Sequence, residues 1–236
     1  MNIKKEKIIE NIKNCWISLF SDRCILYRIQ NKLIENEFPS ICVIIQRMIF
    51  SEKSGVMFTA NPVNNNHNSI FINACFGLGE AFVSGKTNAD SYQINKKTLK
   101  ITEKKIEEKN LSIIQLPEGG TIEKEVDEKF RRTQVLTDLE IIELSKISIE
   151  ILKHYKGFQQ DIEWGFEKKK FYILQSREIT SLFPYPTKIS HSLEDQFKNV
   201  EEAYNPIEDN HYHILLSLNA FQVYFIHFDS NFSIDV

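Results

Sequence analysis

Two runs of alternating apolar and polar residues, separated by a lysine-rich turn, constrain the fold of this chain more than any other feature. They lie in the segment FQQDIEWGFEKKKFYILQSREIT, residues 158–180. Alternation with a period of two is typical of a β-strand, and two such runs around a short turn predict a β-hairpin. In the first run Asp161 and Glu163 share one face, whereas Ile162 and Trp164 share the other.

The pairing of the two runs decides which side chains meet. Because alternate residues of a strand point the same way, we expect one set of the second run to share a face. That set is Phe171, Ile173, Gln175 and Arg177. A connecting loop with an odd number of residues, such as 167–169, places Asp161 opposite Gln175. The hairpin then presents two carboxylates, an amide and a guanidinium on one surface.

The remaining patterns predict an α+β fold around a central sheet. The apolar run SICVIIQRMIF (40–50) is typical of a strand that is buried on both faces, and SIFINACFG (69–77) predicts a further strand of the same sheet. Apolar residues at helical spacing predict an amphipathic helix over residues 5–20.

The region before the hairpin predicts a surface connection followed by a helix. Residues 116–134 show no consistent period, which favours a long surface connection. The helix is expected to begin at Thr137, which forms a capping box with Glu140. It is expected to end just before Gly157, the predicted C′ residue.

The stretch GLGEAFVSGKT, residues 77–87, is similar at first sight to a phosphate-binding loop. That loop has four residues between its two glycines and leads into a helix whose N-terminus faces the anion. Here five residues separate Gly79 from Gly85, and the following residues, NADSYQIN, favour a β-strand. The stretch therefore fails as a phosphate loop on spacing and on context.

Composition bounds the class of protein and the kinds of partner. The chain has 236 residues, of which 42% are hydrophobic and 26% are charged, as expected for a globular protein. Its net charge is −3, with basic and acidic residues interspersed, so we expect neither nucleic acid nor a membrane surface as a partner. The sequence contains no apolar run of transmembrane length and no signal-peptide core, which predicts a cytoplasmic protein.

The polar set of the predicted hairpin suits a metal-bound polyphosphate. Mg²⁺ prefers oxygen ligands and takes only a few of them from protein. Glu163 and Gln175 can supply a carboxylate and an amide oxygen, with Asp161 beside them. Arg177 can pair with charge on a transferred phosphoryl group. The alternative from pattern alone is an ordinary hairpin with a polar outer face.

Three segments resemble one enzyme family. They are VIIQRMIFSEKSGVMFTANPV, INACFGLGEAFVSGKTNADSY and QDIEWGFEKKKFYILQSREIT. Over residues 10–183 the order and spacing of these motifs resemble the ATP-binding domain of the phosphoenolpyruvate synthase and pyruvate phosphate dikinase family, and most of all its rifampicin phosphotransferase branch. The resemblance implies an ATP-grasp fold, which clamps the nucleotide between two α+β subdomains, and the cofactors ATP and Mg²⁺.

The resemblance also implies roles for individual residues. Glu163, Gln175 and Asp161 match the metal-binding positions of the family, and Arg177 matches the arginine at the phosphates. Four residues match the hinge whose backbone meets the adenine edge, and two match a loop beside the nucleotide cleft. These six are Gln46, Arg47, Met48, Ile49, Gly79 and Glu80. The family usually has proline where this chain has Glu178.

The chain is expected to be truncated at both ends relative to the family. Residues 1–183 would be the C-terminal portion of the ATP-grasp domain, without its N-terminal subdomain. Residues 184–236 would be a linker and the start of the next, substrate-binding domain. The function implied is nucleotide binding for phosphoryl transfer to a histidine and then to an acceptor. The alternative is a non-catalytic fragment, either a subunit that works with a separately encoded N-terminal subdomain and histidine domain or a pseudogene product.

Overall fold

A computed structural model describes residues 2–30 and 41–182, together with the backbone of residues 223–228. The chain divides into two compact units, residues 1–48 with 183–236, and residues 49–182. No helix in the described part of the chain is both long enough and apolar enough to cross a membrane.

The first unit holds the N-terminal helices and a pair of strands. A short 3₁₀ helix (Lys5–Lys7) leads into α1 (Ile8–Ser18), which is followed by α2 (Asp22–Gln30), β1 (Cys42–Arg47) and β10 (Val223–Phe228). The helix predicted over residues 5–20 is thus confirmed. β1 and β10 pair in parallel, with Cys42 opposite Val223 and Arg47 opposite Phe228.

The prediction for the run at residues 40–50 was wrong in two respects. β1 does form within it, but its side chains are mostly exposed: Ile44 is 39% and Ile45 is 44% accessible. β1 also pairs with β10 and does not join the sheet that contains the strand at 69–76. An apolar, β-branched run favours a strand wherever it lies, but the run does not determine which elements cover it.

The second unit is built on a six-stranded antiparallel sheet. Its elements are β2 (Lys53–Phe58), β3 (Ser69–Phe76), α3 (Glu80–Val83), β4 (Asp90–Asn95), β5 (Ile101–Lys105), β6 (Leu111–Gln115), β7 (Thr121–Glu125), α4 (Glu128–Arg131), α5 (Asp138–His154), β8 (Gln160–Glu167) and β9 (Lys170–Glu178). The strand order in the sheet is β5-β4-β3-β2-β8-β9, and every pairing is antiparallel. The predicted α+β class with an antiparallel sheet and flanking helices is confirmed.

One face of this sheet forms the core with α5. The fully buried side chains on that face include Met57, Ile72, Ile94 and Ile162, and α5 contributes Ile141 and Leu144 to the same cluster. Burial of this much apolar surface is the main favourable term in folding the unit. The core fixes which way each strand faces, because a shift by one residue would move its apolar set to the other face.

The helix α5 confirms its predicted start. The Thr137 side chain accepts a hydrogen bond from the Glu140 backbone N–H, and the Glu140 side chain accepts one from the Thr137 N–H. The predicted end was displaced by one residue. Tyr155 is the C-cap, so Lys156 occupies the C′ position with φ of 54°, and Gly157 follows it with φ of 91°.

The surface connection predicted over residues 116–134 was wrong. Its first part is the turn and second strand of an antiparallel ribbon, β6–β7, and α4 follows. Gly119 and Gly120 have φ of 96° and 82°, a conformation that glycine adopts without steric cost, and they close the turn. The exposed strand β7 (TIEKE) shows little apolar periodicity because the ribbon buries few of its side chains.

Candidate functional site

The hairpin β8–β9 forms as predicted, but with a different turn and register. Its loop has two residues, Lys168 and Lys169, both with positive φ. Such a pair is typical of the type I′ turn that matches the twist of a hairpin. Asp161 lies opposite Arg177 and Glu163 opposite Gln175, so the predicted pairing of Asp161 with Gln175 was wrong.

A β-bulge decides which side chains share a face. Next to the turn Trp164 lies opposite Ile173, whereas beyond it Glu163 lies opposite Gln175, so Leu174 is an extra residue. If β9 paired with β8 without this bulge, the register would shift by one residue, and Gln175 and Arg177 would point away from the carboxylates. The bulge therefore brings the polar set together despite the even-numbered loop.

The same bulge corrects the predicted composition of that face. Phe171 packs edge to face against Trp164 and Phe166, with ring centroids 5.6 and 4.8 Å apart. Phe171 and Ile173 thus lie on the face of the core, and they do not share a face with Gln175 and Arg177 as predicted. The four polar residues that were predicted to meet do emerge on one surface.

Within the described part of the chain, Asp161 and Arg177 are the one pair of these four side chains in direct polar contact. The Nε of Arg177 donates a hydrogen bond to Asp161 Oδ2 at 2.9 Å, and an Nη atom forms an ion pair with the same oxygen at 2.8 Å. The Arg177 side chain is 64% accessible and the Asp161 side chain 13%. Asp161 Oδ1 is buried and accepts no hydrogen bond from the described residues. A buried acceptor without a donor is costly, and it indicates a position for an external cation or donor.

Glu163 is held without a hydrogen-bonding partner among the described residues. Burial raises the pKa of its carboxyl, the Arg177 charge lowers that pKa, and the Asp161 charge raises it further. Desolvation is the largest of these effects, which shows that the carboxylate is poorly compensated. A cation bound beside it would supply the missing compensation.

These residues fit a hard divalent cation. The available donors are the free Asp161 Oδ1, the Glu163 carboxylate and the Gln175 amide oxygen, all oxygen ligands of the kind that Mg²⁺ takes. The described residues contain no group of three or more His, Cys, Asp or Glu side chains placed to hold a metal. A cation at the hairpin would therefore complete its coordination with water or with oxygen atoms of a ligand.

The four expected hinge residues straddle the boundary between the two units. Gln46 and Arg47 end β1, Met48 closes the first unit, and Ile49 opens the second. Met48 and Ile49 are 1% and 7% accessible, so their side chains are anchored while the strand before them is exposed. Their contact with adenine stays a prediction.

The segment before Gly79 and Glu80 is held to β2 and β6 by hydrogen bonds to its backbone. Gly77 has φ of 74°, and a Cβ built there would lie 2.4 Å from the Ile113 carbonyl oxygen. The Ser54 hydroxyl donates to the Gly77 carbonyl at 2.6 Å, and the Leu78 N–H donates to Ile113 O at 2.8 Å. The glycine is thus required by the close approach of β6.

Neither end of this loop behaves as a phosphate loop. Gly79 caps α3, a single turn in which Glu80 is exposed. Lys86 forms an ion pair with Glu123 of β7 at 2.5 Å. Gly77 lies four residues along β3 from the level of Glu163, roughly 13 Å at the rise of a strand. The structure therefore places Gly79 and Glu80 away from the carboxylates, beyond the other end of β3.

Sequence reasoning missed the rest of the surface on which the carboxylates lie. Val56 and Phe58 of β2 are the direct neighbours of Glu163 and Asp161, and Asn73 and Phe71 of β3 follow across the sheet. All four are half-buried and alternate with fully buried residues. The segments VMF and SIFINACF carry this alternation, but their polar and aromatic members do not stand out in a search for charged side chains.

Comparisons with known proteins identify the family. Residues 1–200 match the family described as "Pyruvate phosphate dikinase, AMP/ATP-binding domain". The chain is 46% identical over 184 residues to the rifampicin phosphotransferase of Bacillus cereus, covering 78% of this chain and 21% of the relative. It is 43% identical over 206 residues to the phosphoenolpyruvate synthase of Pyrococcus furiosus, covering 84% of this chain and 24% of the relative.

A third relative is longer than the first two. A probable phosphoenolpyruvate synthase of Methanocaldococcus jannaschii is 42% identical over 183 residues, 77% of this chain and 15% of the relative. The chain thus spans about a quarter or less of the length of these three relatives. The profile match covers most of the chain, and the predicted family resemblance is confirmed: the chain belongs to the pyruvate phosphate dikinase AMP/ATP-binding domain family.

Proposed function

We propose that this chain is the Mg-ATP-binding segment of a dikinase-type phosphotransferase, built on part of an ATP-grasp fold. Residues 1–183 would form the C-terminal portion of the nucleotide-binding domain, and 184–236 a linker and the start of the next domain. The observation that carries the proposal is the hairpin, where a bulge gathers two carboxylates, an amide and a guanidinium on one surface.

Three side chains of the hairpin would bind the metal, and a fourth would bind the phosphates. Glu163, Gln175 and Asp161 would hold Mg²⁺ through their oxygen atoms. The bound metal would neutralise phosphate charge during phosphoryl transfer. Arg177 is exposed and aimed by Asp161, so its free N–H groups can donate to phosphoryl oxygens. An arginine held in this way stabilises charge that develops during transfer without having to reorganise.

The remaining expected residues would bind the nucleoside and close the cleft. The backbone of Gln46, Arg47, Met48 and Ile49 would meet the adenine edge, and Gly79 with Glu80 would lie beside the cleft. In the complete reaction, the P–O bond between the α- and β-phosphates of ATP would break as a P–N bond to a histidine forms. AMP would be the leaving group, and the outer phosphate would pass to water or to inorganic phosphate. The phosphoryl group then passes from that histidine to an acceptor hydroxyl or enol oxygen.

Titration calorimetry with ATP, in the presence and absence of Mg²⁺, tests the metal site. We expect Mg²⁺ to strengthen ATP binding, and Glu163→Ala to remove most of that dependence. Glu143→Ala, at an exposed position of α5, is the matched control and should behave like the unchanged chain. ATP binding that is equally strong without Mg²⁺ would contradict the assignment of the hairpin.

A second candidate is a non-catalytic fragment that acts only beside other chains. The observation that favours it is coverage, because the relatives are about four to seven times longer than the matched segment. In that case the chain alone would bind nucleotide but form no phosphohistidine. Turnover assays of the chain alone, and after mixing with separately produced N-terminal and histidine domains of a relative, separate the two candidates. Sustained ATP turnover by the chain alone would exclude the second candidate, the non-catalytic fragment.

A further inference from the structure

Cross-strand pairing places an uncharged polar residue in line with the candidate metal ligands. Across four strands, Asn73 of β3 lies opposite Val56 of β2, Val56 opposite Glu163 of β8, and Glu163 opposite Gln175 of β9. Directly opposed residues of antiparallel strands point to the same face. Asn73, Glu163 and Gln175 therefore emerge on one side of the sheet, with the short Val56 side chain between the first two.

Asn73 has no evident role in folding. Asparagine is depleted in strands, yet this one occupies the middle of β3, between the fully buried Ile72 and Ala74 that face the core. It is half-buried and makes no side-chain hydrogen bond with any described residue. Gln93 on the same face differs, because its amide oxygen accepts a hydrogen bond from Asn61 at 3.0 Å.

We propose that Asn73 is a further ligand-binding residue, which contacts the phosphate chain of the nucleotide on the side opposite Glu163. The inference rests on the proposed function. Two strand spacings separate Asn73 from Glu163, roughly 10 Å between backbones. Both side chains emerge on the face where Val56 lies between them, and a phosphate chain with its cation is long enough to contact both. The Asn73 amide can donate to phosphate oxygens without adding charge.

A series of nucleotides with different phosphate counts tests this position. The affinities of the full chain for AMP, ADP and ATP, each with Mg²⁺, are measured by titration calorimetry for the unchanged chain and for Asn73→Ala. We expect ATP binding to weaken about tenfold and AMP binding to change less than threefold. Ser91→Ala, in the same row but one strand farther out, is the control and should leave all three affinities unchanged.

The outcomes separate this inference from the proposed function. An Asn73→Ala chain that binds ATP as tightly as the unchanged chain overturns the role of Asn73 alone. Equal weakening of AMP and ATP also overturns it, since that pattern indicates a structural role. An unchanged chain that binds no Mg-nucleotide overturns the proposed function and this inference with it. If Asn73→Ala fails to fold, Asn73→Val removes the amide while matching the strand, and the same criteria apply.

Discussion

Replacing Glu163 by glutamine should stabilise the protein while weakening the proposed Mg-dependent binding of ATP. The carboxylate is half-buried, lies near Asp161, and has no hydrogen-bonding partner among the described residues. Glutamine has nearly the same shape and carries no charge to desolvate. The ionised carboxylate at neutral pH is thus a cost that the folded chain carries in the absence of a cation.

The expected gain in stability of Glu163→Gln can be estimated from comparable removals of a destabilising charge. Removing a functional charge that opposes folding commonly raises the free energy of unfolding by roughly 0.5–2 kcal/mol. In a protein of this size each kcal/mol raises the melting temperature by roughly 2–4 °C. Arg177 offsets part of the cost in the unchanged chain, which favours the lower half of that range.

The raised pKa of Glu163 predicts how the stability gain of Glu163→Gln changes with pH. Because the pKa of Glu163 is raised in the folded chain, the folded state binds a proton more readily than the unfolded state. This group therefore favours the fold at low pH, and the benefit is lost as the pH rises through the raised pKa. The advantage of Glu163→Gln should be complete near neutral pH and should disappear below the ordinary value of 4.5.

Urea unfolding at pH 7 and pH 4, without added Mg²⁺, measures the effect. Glu143→Gln on the exposed side of α5 is the matched control, with an expected change within about 0.5 kcal/mol. A Glu163→Gln chain that is less stable than the control at pH 7 would refute the reasoning. So would a gain in stability that is as large at pH 4 as at pH 7.

Three further changes test other parts of the structure. Asp161→Asn should alter the free energy of unfolding by less than ~1 kcal/mol, because its partner Arg177 is exposed, yet it should weaken Mg-dependent ATP binding; calorimetry and urea unfolding together check this split. Gly77→Ala should destabilise the fold by roughly 2–4 kcal/mol in urea unfolding, since φ is positive and the new Cβ meets Ile113 O, and a loss below ~1 kcal/mol would contradict that contact. Thr137→Ala should cost about 1 kcal/mol by loss of the capping box, and Thr137→Ser should restore most of it in thermal melts.

Several elements could be predicted from the sequence because their causes are local. The start of α5 depends on Thr137 and Glu140, which lie within one turn of each other. The strands of the hairpin depend on alternation along each run. The family resemblance was also readable in the residues. For these features the deciding contacts lie within a few positions of one another in the chain.

Other elements needed tertiary structure because their causes are distant in sequence. The exposure of β1 depends on which elements pack against it, and those elements cannot be inferred from its own apolar run. The ribbon β6–β7 was missed because no residue of β7 is buried, although Gly119 and Gly120 were a usable turn signal. The requirement for Gly77 arises from Ile113, which lies far along the chain.

The hairpin site depends partly on features that the sequence determines and partly on the register of the folded sheet. The sequence determined that Asp161, Glu163, Gln175 and Arg177 lie on adjacent strands of one hairpin. Whether they share a face depended on the parity of the pairing, which a single extra residue reverses. The structure decided it through the bulge at Leu174, where packing of the aromatic side chains near the turn and alignment of the polar ones beyond it are both satisfied. Register is set by contacts across the whole sheet, so no single segment of the sequence determines it.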